Sequence, residues 1–155
     1  MKIHSLHTTQ WLPTTIDTAW EFLSDPKNLC RITPSEMGFE IISGADKGMY
    51  PGQIIEYWVR PFSSIKTKWI TEITHVADRS YFVDEQRFGP YALWHHKHFL
   101  KEKDEGVEME DLIHYKLPFG ILGQWMEPLL IRPKLEKIFE FRRQKLTEIF
   151  DPQHA

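Results

Sequence analysis

Apolar and polar positions follow three rhythms along the chain. Lys2 to Leu12 alternates loosely and predicts a strand, which Pro13 stops. Ile16, Ala19, Trp20 and Leu23 then fall at i, i+3, i+4 and i+7, one face of a short helix over Ile16 to Leu23 that Thr14 or Thr15 can cap. Asp25-Pro26 breaks this helix and restarts a helical turn from Pro26 to Ile32, with proline at the first position; Thr33-Pro34 ends it.

From there the period changes to two. Strands are predicted at Phe39 to Ile42, followed by a turn around Gly44 to Gly48, and at Gln53 to Arg60, before Pro61. Further strands follow at Ile65 to Val76, at Tyr81 to Phe88 up to Gly89-Pro90, and at Leu93 to Lys103. Asp104-Glu105-Gly106 turns the chain into Val107 to Leu117, ended by Pro118 and Gly120. Short turns between successive strands predict an antiparallel meander.

The third rhythm is helical. Leu130, Leu135, Ile138, Phe139, Leu146, Ile149 and Phe150 place one long amphipathic helix over Met126 to Phe150, whose regular part should begin near Pro133 because Pro128 and Pro133 interrupt its start. Residues after Asp151 should fray. The fold class is therefore α+β: a curved antiparallel sheet of about seven strands, two short helices after the first strand, and a C-terminal helix able to cover one sheet face. Such a helix spans about 30 Å, and a sheet curved round it can leave a cavity.

Composition narrows this further. At 155 residues the chain fits one domain, 1–155, and 41% hydrophobic against 26% charged residues predicts a folded, soluble protein rather than a disordered one. A net charge of -3 excludes a general nucleic-acid binder, which needs a basic surplus. The single cysteine, Cys30, excludes an internal disulfide framework and a Cys-rich zinc site; it is expected as a small buried hydrophobe. No apolar run has the length of a signal peptide or a membrane span, so a cytoplasmic location is expected. The 6 Trp, 10 Phe and 5 Tyr suit a large core or a lined cavity.

The residues Phe-Val-Asp-Glu-Gln-Arg-Phe-Gly-Pro-Tyr-Ala-Leu-Trp-His-His-Lys-His-Phe over 82–99, in this order of elements, resemble the START/Bet v 1-like (SRPBCC) superfamily. The likeness is to its ligand-binding and polyketide-cyclase-like bacterial members. Trp69 with Ile73, Asp111 with Tyr115, Leu117-Pro118-Phe119-Gly120 followed by Gly123, and the closing Ile138-Phe139-Glu140-Phe141-Arg142 support the resemblance. It covers nearly the whole chain and implies a helix-grip fold with a cavity between sheet and C-terminal helix. Its members range from lipid carriers and hormone receptors to cyclases, so the fold alone does not assign an activity. A similar domain is sometimes fused to a sugar-nucleotide-epimerase-like module and labelled a cell-division inhibitor. This sequence carries no dinucleotide-binding glycine loop, so the label brings no mechanism.

Strand alternation sorts the chemistry. Trp94, His96, His98 and Leu100 share one face, while His95, Lys97 and Lys101 share the other, which belongs in solvent. Phe99 falls on that outer face as an exception. Met109, Asp111, Ile113, Tyr115 and Leu117 likewise face inward, opposite Glu108, Glu110, His114 and Lys116. Two histidines, an aspartate and a tyrosine are thus expected under the helix. They can pair with one another structurally, orient a ligand, or perform acid–base chemistry. His96 and His98 with Asp111 could also ligate zinc, but no further metal-binding spacing supports this and no metal is assigned. Arg142 lies within the apolar stripe of the last helix. Its head either reaches solvent past a packed stem or faces the cavity and pairs with an inward acid, for which Asp84 is the candidate because Phe82, Asp84 and Gln86 share a strand face.

The expectation is a binding protein for a small apolar or amphipathic molecule. Tyr57, Trp69, Phe82, Gln86, Trp94, His96, His98, Asp111, Tyr115 and Arg142 are the candidate ligand-binding residues, with no catalytic residue, cofactor or metal and with no nucleic-acid partner. The alternative is a cyclase, dehydratase or isomerase using a cavity His–Asp pair as general acid and base. A partner-binding module with a filled core is the third reading.

Overall fold

The computed structural model describes residues 2–61, 65–118, 120 and 125–151. Phe119 and Gly123 of the expected motif, and the end expected to fray, lie outside the described residues.

The first strand, β1 (His4–Leu12), leads into helix α1 (Ile16–Leu23). The Thr15 hydroxyl caps α1 by accepting from the Thr18 amide at 3.2 Å, and Asp17 sits in its first turn, where a negative charge suits the helix dipole. Phe22 joins Ala19 and Leu23 as the buried residues of this helix, while Ile16 and Trp20 are half-buried at its edge. A tight 3-10 helix over Pro26–Ile32 follows, capped by Asp25. Its three-residue period turns Leu29 and Ile32 inward and leaves Cys30 exposed. This corrects the expectation of a buried thiol; the Cys30 Sγ donates to the Lys27 carbonyl at 2.9 Å.

After a short 3-10 turn at Ser35–Met37, the sheet continues through β2 (Glu40–Ser43), β3 (Gln53–Val59), β4 (Thr67–Ala77), β5 (Tyr81–Phe88), β6 (Leu93–Lys103) and β7 (Gly106–Lys116). Among the described residues seven strands pair in the order β1-β7-β6-β5-β4-β3-β2, antiparallel wherever they meet. Each hairpin in β2 to β7 joins sequence neighbours, as alternation and turns predict. Asp104 and Glu105 both take positive φ in the two-residue β6–β7 turn, the conformation that matches strand twist. Gly44 also takes positive φ, and a Cβ there would lie 1.9 Å from the Ile54 carbonyl oxygen, so only glycine lets the β2–β3 connection pass. Phe99, the apolar residue on the outer face, pairs with Tyr81 across β5–β6 with ring centroids 5.9 Å apart.

The last helix starts irregularly. A π-helical turn at Glu127–Ile131 precedes the regular helix α2 (Arg132–Phe150), so the regular part begins one residue before Pro133. Pro128 and Pro133 stand in the opening turns of these two segments and give no amide to the helix ladder, which fits the irregular start. The π turn directs Glu127 into the interior at 4% exposure, where its Oε1 accepts from the Tyr115 hydroxyl at 2.5 Å and lies 3.3 Å from Arg132 Nε, and its Oε2 lies 3.4 Å from His4 Nδ1.

Helix α2 packs its stripe of Leu135, Phe139, Arg142, Leu146 and Phe150 against the sheet. Two apolar clusters result. One gathers Ile55, Trp69, Ile113 and Tyr115 with Ile131, Leu135 and Phe139; the other gathers Phe22, Phe82, Leu100 and Met109 with Leu146 and Phe150. Between them Asp84, His96, His98, Asp111 and Arg142 form a polar belt that crosses from β5 to α2.

Candidate functional site

Register assembles the belt. Asp84 on β5 stands opposite His96 on β6, and His98 on β6 stands opposite Asp111 on β7. The strongest contacts run diagonally. His96 Nε2 donates to Asp111 Oδ1 at 2.9 Å, and His98 Nε2 donates to Asp84 Oδ2 at 2.7 Å. His98 Nδ1 also lies 2.9 Å from Asp111 Oδ1, but off the line of a hydrogen bond, and His96 Nδ1 lies 3.5 Å from Asp84 Oδ2. The two imidazoles are 3.7 Å apart between centroids, held between two carboxylates. From α2, Arg142 brings Nη1 to 3.5 Å from Asp111 Oδ1 and lays its guanidinium over the Phe139 ring.

Burial and neighbouring charge set the protonation of this belt. Burial opposes the charge on both aspartates. The positive side chains around them outweigh it: His96, His98 and Arg142 hold Asp84 below the usual carboxylate range, and Arg142 with the two histidines holds Asp111 well below it. For His98, burial is outweighed by the adjacent Asp111 and Asp84 carboxylates, which raise its pKa. For His96, burial and the neighbouring His98 charge win over the two aspartates and push it down to about 4. The belt therefore favours two ionised carboxylates and a neutral His96, and biases His98 toward its protonated form.

The belt borders a cavity of about 180 Å³ between the sheet, the Pro26–Ile32 helix and α2. Its walls are mainly apolar, among them Ile55, Ile73, Leu135 and Ile138. Trp69 and Trp94 meet edge to face at 5.4 Å in the same wall, with Tyr91 against both. The Tyr57 hydroxyl is paired with Thr71 Oγ1 at 2.6 Å. The buried Trp69 indole nitrogen has no hydrogen-bond partner among the described residues. The cavity meets solvent at its partly exposed lining residues, including Leu29, Met37 and Ile138.

Seven of the ten residues expected to bind ligand line this cavity: Tyr57, Trp69, Phe82, Trp94, His96, His98 and Arg142. Three do not. Gln86 is used by the β5–β6 connection: its Nε2 donates to the Tyr91 carbonyl at 2.7 Å and its Oε1 accepts from the Tyr91 amide at 3.2 Å, which sets Tyr91 in the wall. Tyr115 faces inward as alternation predicts, yet its hydroxyl is taken by Glu127. Asp111 sits behind the histidines, touching them from the side away from the cavity lining. Arg142 is 8% exposed and faces the interior, with Asp111 rather than Asp84 as its nearest acid.

Asp84 belongs with the site and was expected only as an arginine partner. Its inward strand position was legible in the Phe82, Asp84, Gln86 alternation, but its pairing with His98 depends on the β5–β6 register. The described residues bring one set of three metal-capable side chains together, Asp84, His96 and His98. Asp84 thus replaces Asp111 as the third member of the triad weighed from sequence. Glu127 was missed altogether, because an acid at a helix start reads as solvated until the π turn is known.

No protein-family model matches the chain, and no curated protein matches it in sequence. Solved structures do match it in shape. Protein CV1439 from Chromobacterium violaceum superposes with a TM-score of 0.73 at 10% identity, covering 96% of this chain and 99% of its own. TTHA0849 from Thermus thermophilus gives 0.71 at 12% identity, covering 94% of this chain and 99% of its own. The ginseng major latex-like protein 151 from Panax ginseng gives 0.70 at 12% identity, with 97% and 99% covered. The chain therefore has the START/Bet v 1-like helix-grip fold, as the sequence resemblance implied. At these identities the likeness is one of fold.

Proposed function

We propose that the protein binds a small, largely apolar molecule carrying one polar group in the cavity between the sheet and α2, in a cytoplasmic setting. The observation that carries this reading is the cavity itself: about 180 Å³, walled mainly by aliphatic and aromatic side chains, with Asp84, His96, His98 and Arg142 as polar members of its lining. That volume suits a molecule of one or two rings. Removing its apolar surface from water supplies roughly 25 cal/mol per Å². The unpaired Trp69 indole N–H adds specificity, because a buried donor without a partner costs about 1–3 kcal/mol and a ligand oxygen would remove that cost.

The enzymatic alternative has His–Asp pairs in His96 with Asp111 and in His98 with Asp84. His96, pushed down to about 4, is a weak general base near neutral pH, so in this reading the acid–base role falls to His98, paired with Asp84 at 2.7 Å.

Native mass spectrometry of the protein as purified, with a denatured control, tests the reading, together with calorimetric titration by naphthol. A mass released on denaturation, or naphthol binding that His96→Ala alters more than it alters fold stability, supports it. An apo mass together with absent naphthol binding overturns it.

A further inference from the structure

Asp84, His96 and His98 converge on one point of the cavity wall from two adjacent strands. His98 Nε2 and His96 Nδ1 lie 2.7 and 3.5 Å from the same oxygen, Asp84 Oδ2. Bonds near 2.1 Å to a single ion place neighbouring donors about 3 Å apart, so this spacing fits one ion's coordination sphere. The far side of the two rings is also organised. His96 Nε2 donates to Asp111 Oδ1, and His98 Nδ1 lies 2.9 Å from that same oxygen. The Asp111 carboxylate thus accepts from the His96 ring, the arrangement that fixes ring orientation and raises ligand basicity in metal sites, and lies beside the His98 ring without a hydrogen bond to it. Arg142, 3.5 Å from Asp111, holds that carboxylate in place from α2.

We propose that Asp84, His96 and His98 form a binding site for a divalent first-row transition ion, Zn²⁺ or Fe²⁺, with Asp111 as the carboxylate orienting the His96 imidazole and the remaining coordination positions open to the cavity. Two imidazoles and a carboxylate suit these borderline ions better than Mg²⁺ or Ca²⁺, which prefer all-oxygen sites. Two carboxylates, Asp84 and Asp111, face the single guanidinium of Arg142, so with both imidazoles neutral as ligands the surroundings carry one net negative charge, which favours a bound cation. The site combines strand-mounted ligands, whose register fixes their spacing, with an apolar chamber beside it that shields the open positions from bulk water. The inference does not depend on the small-molecule reading, since the four side chains form the site without an organic ligand.

The test uses the full chain stripped with a chelator, then titrated with Zn²⁺ by calorimetry and with Co²⁺ by visible absorption. One ion per chain is expected, with a Co²⁺ spectrum of four- or five-coordinate type. Asp84→Asn and His98→Gln should each weaken Zn²⁺ binding at least 100-fold. Asp111→Asn, which leaves all three ligands, should weaken it about 10–100-fold. His95→Gln, on the outer face, should leave it unchanged. Near-UV circular dichroism verifies that each variant keeps its packing, and Asp84→Asn, near-isosteric, serves where a histidine variant loses it. Absence of Zn²⁺ binding by the folded stripped protein overturns the proposal. So does binding that persists in Asp84→Asn and His98→Gln but falls in His95→Gln, which would move the ion to surface histidines. Naphthol titration of the same stripped sample is independent of these outcomes, so failure of the metal site and failure of the organic-ligand reading are told apart.

Discussion

Arg142 on α2 and Asp111 on β7 form the ionic contact, 3.5 Å between Nη1 and Oδ1, that carries the polar belt from the sheet to the long helix. Both residues are almost fully buried, and an apolar cluster lies on each side of them. Removing one partner of such a pair strands the other charge, which costs about 3–5 kcal/mol. Arg142→Met is therefore expected to lower unfolding free energy by about that amount in urea. Arg142→Met with Asp111→Asn should recover part of it, because the stranded charge is gone. Additive losses in the double variant would show that the two residues are not coupled.

The belt also sets how stability of the metal-free protein depends on pH. His96, pushed down to about 4, stays neutral in the fold while the unfolded chain takes up its proton near pH 6.5. The stability it contributes is present above pH 6.5 and is lost as pH falls toward 4. His98 is raised by Asp84 and Asp111 against its burial, so its contribution is present below pH 6.5 and is lost as pH rises through its folded value. Thermal unfolding in the presence of chelator should thus give maximal stability near pH 6.5, falling on both sides. His98→Gln should remove the decline on the alkaline side. A profile that stays flat from pH 5 to 8 would contradict this balance.

The indole of Trp69 is a separate test of ligand polarity. Trp69→Phe keeps an aromatic wall and deletes the unpaired N–H. Naphthol affinity should fall about 2–10-fold, the equivalent of one net hydrogen bond, while naphthalene affinity changes little. Equal effects on both compounds, measured by calorimetry, would show that the indole acts only through shape.

Tyr115 separates structure from binding. Its hydroxyl donates to buried Glu127, and the ring lies outside the cavity lining. Tyr115→Phe should cost about 1.5–3 kcal/mol, as for a hydrogen bond to a charged acceptor, with naphthol affinity within twofold of the parent. A large loss of naphthol affinity without loss of stability would place Tyr115 in the binding surface after all.

Much of this molecule was legible one strand at a time. Period-two alternation placed Trp94, His96, His98 and Leu100 on the inner face, because a strand with lysines on one side can bury only the other. Helical spacing placed Leu135, Phe139, Arg142 and Leu146 on one stripe of α2 for the same reason. Local signals of this kind act within a few residues, so they also placed the Asp104-Glu105 turn and narrowed the helix cap to Thr14 or Thr15, of which the fold uses Thr15. What they could not supply is which faces meet. The pairing of β1 with β7 closes a gap of about a hundred residues and leaves no mark in either strand's alternation. The choice of Asp84 for His98, and of Asp111 for Arg142, follows from β5–β6–β7 register and from the rotation of α2. Gln86 and Glu127 were decided last of all. An amide that closes a loop and an acid turned inward by a π-helical turn have the same sequence signature as exposed polar residues, and only the packed backbone gives them their partners.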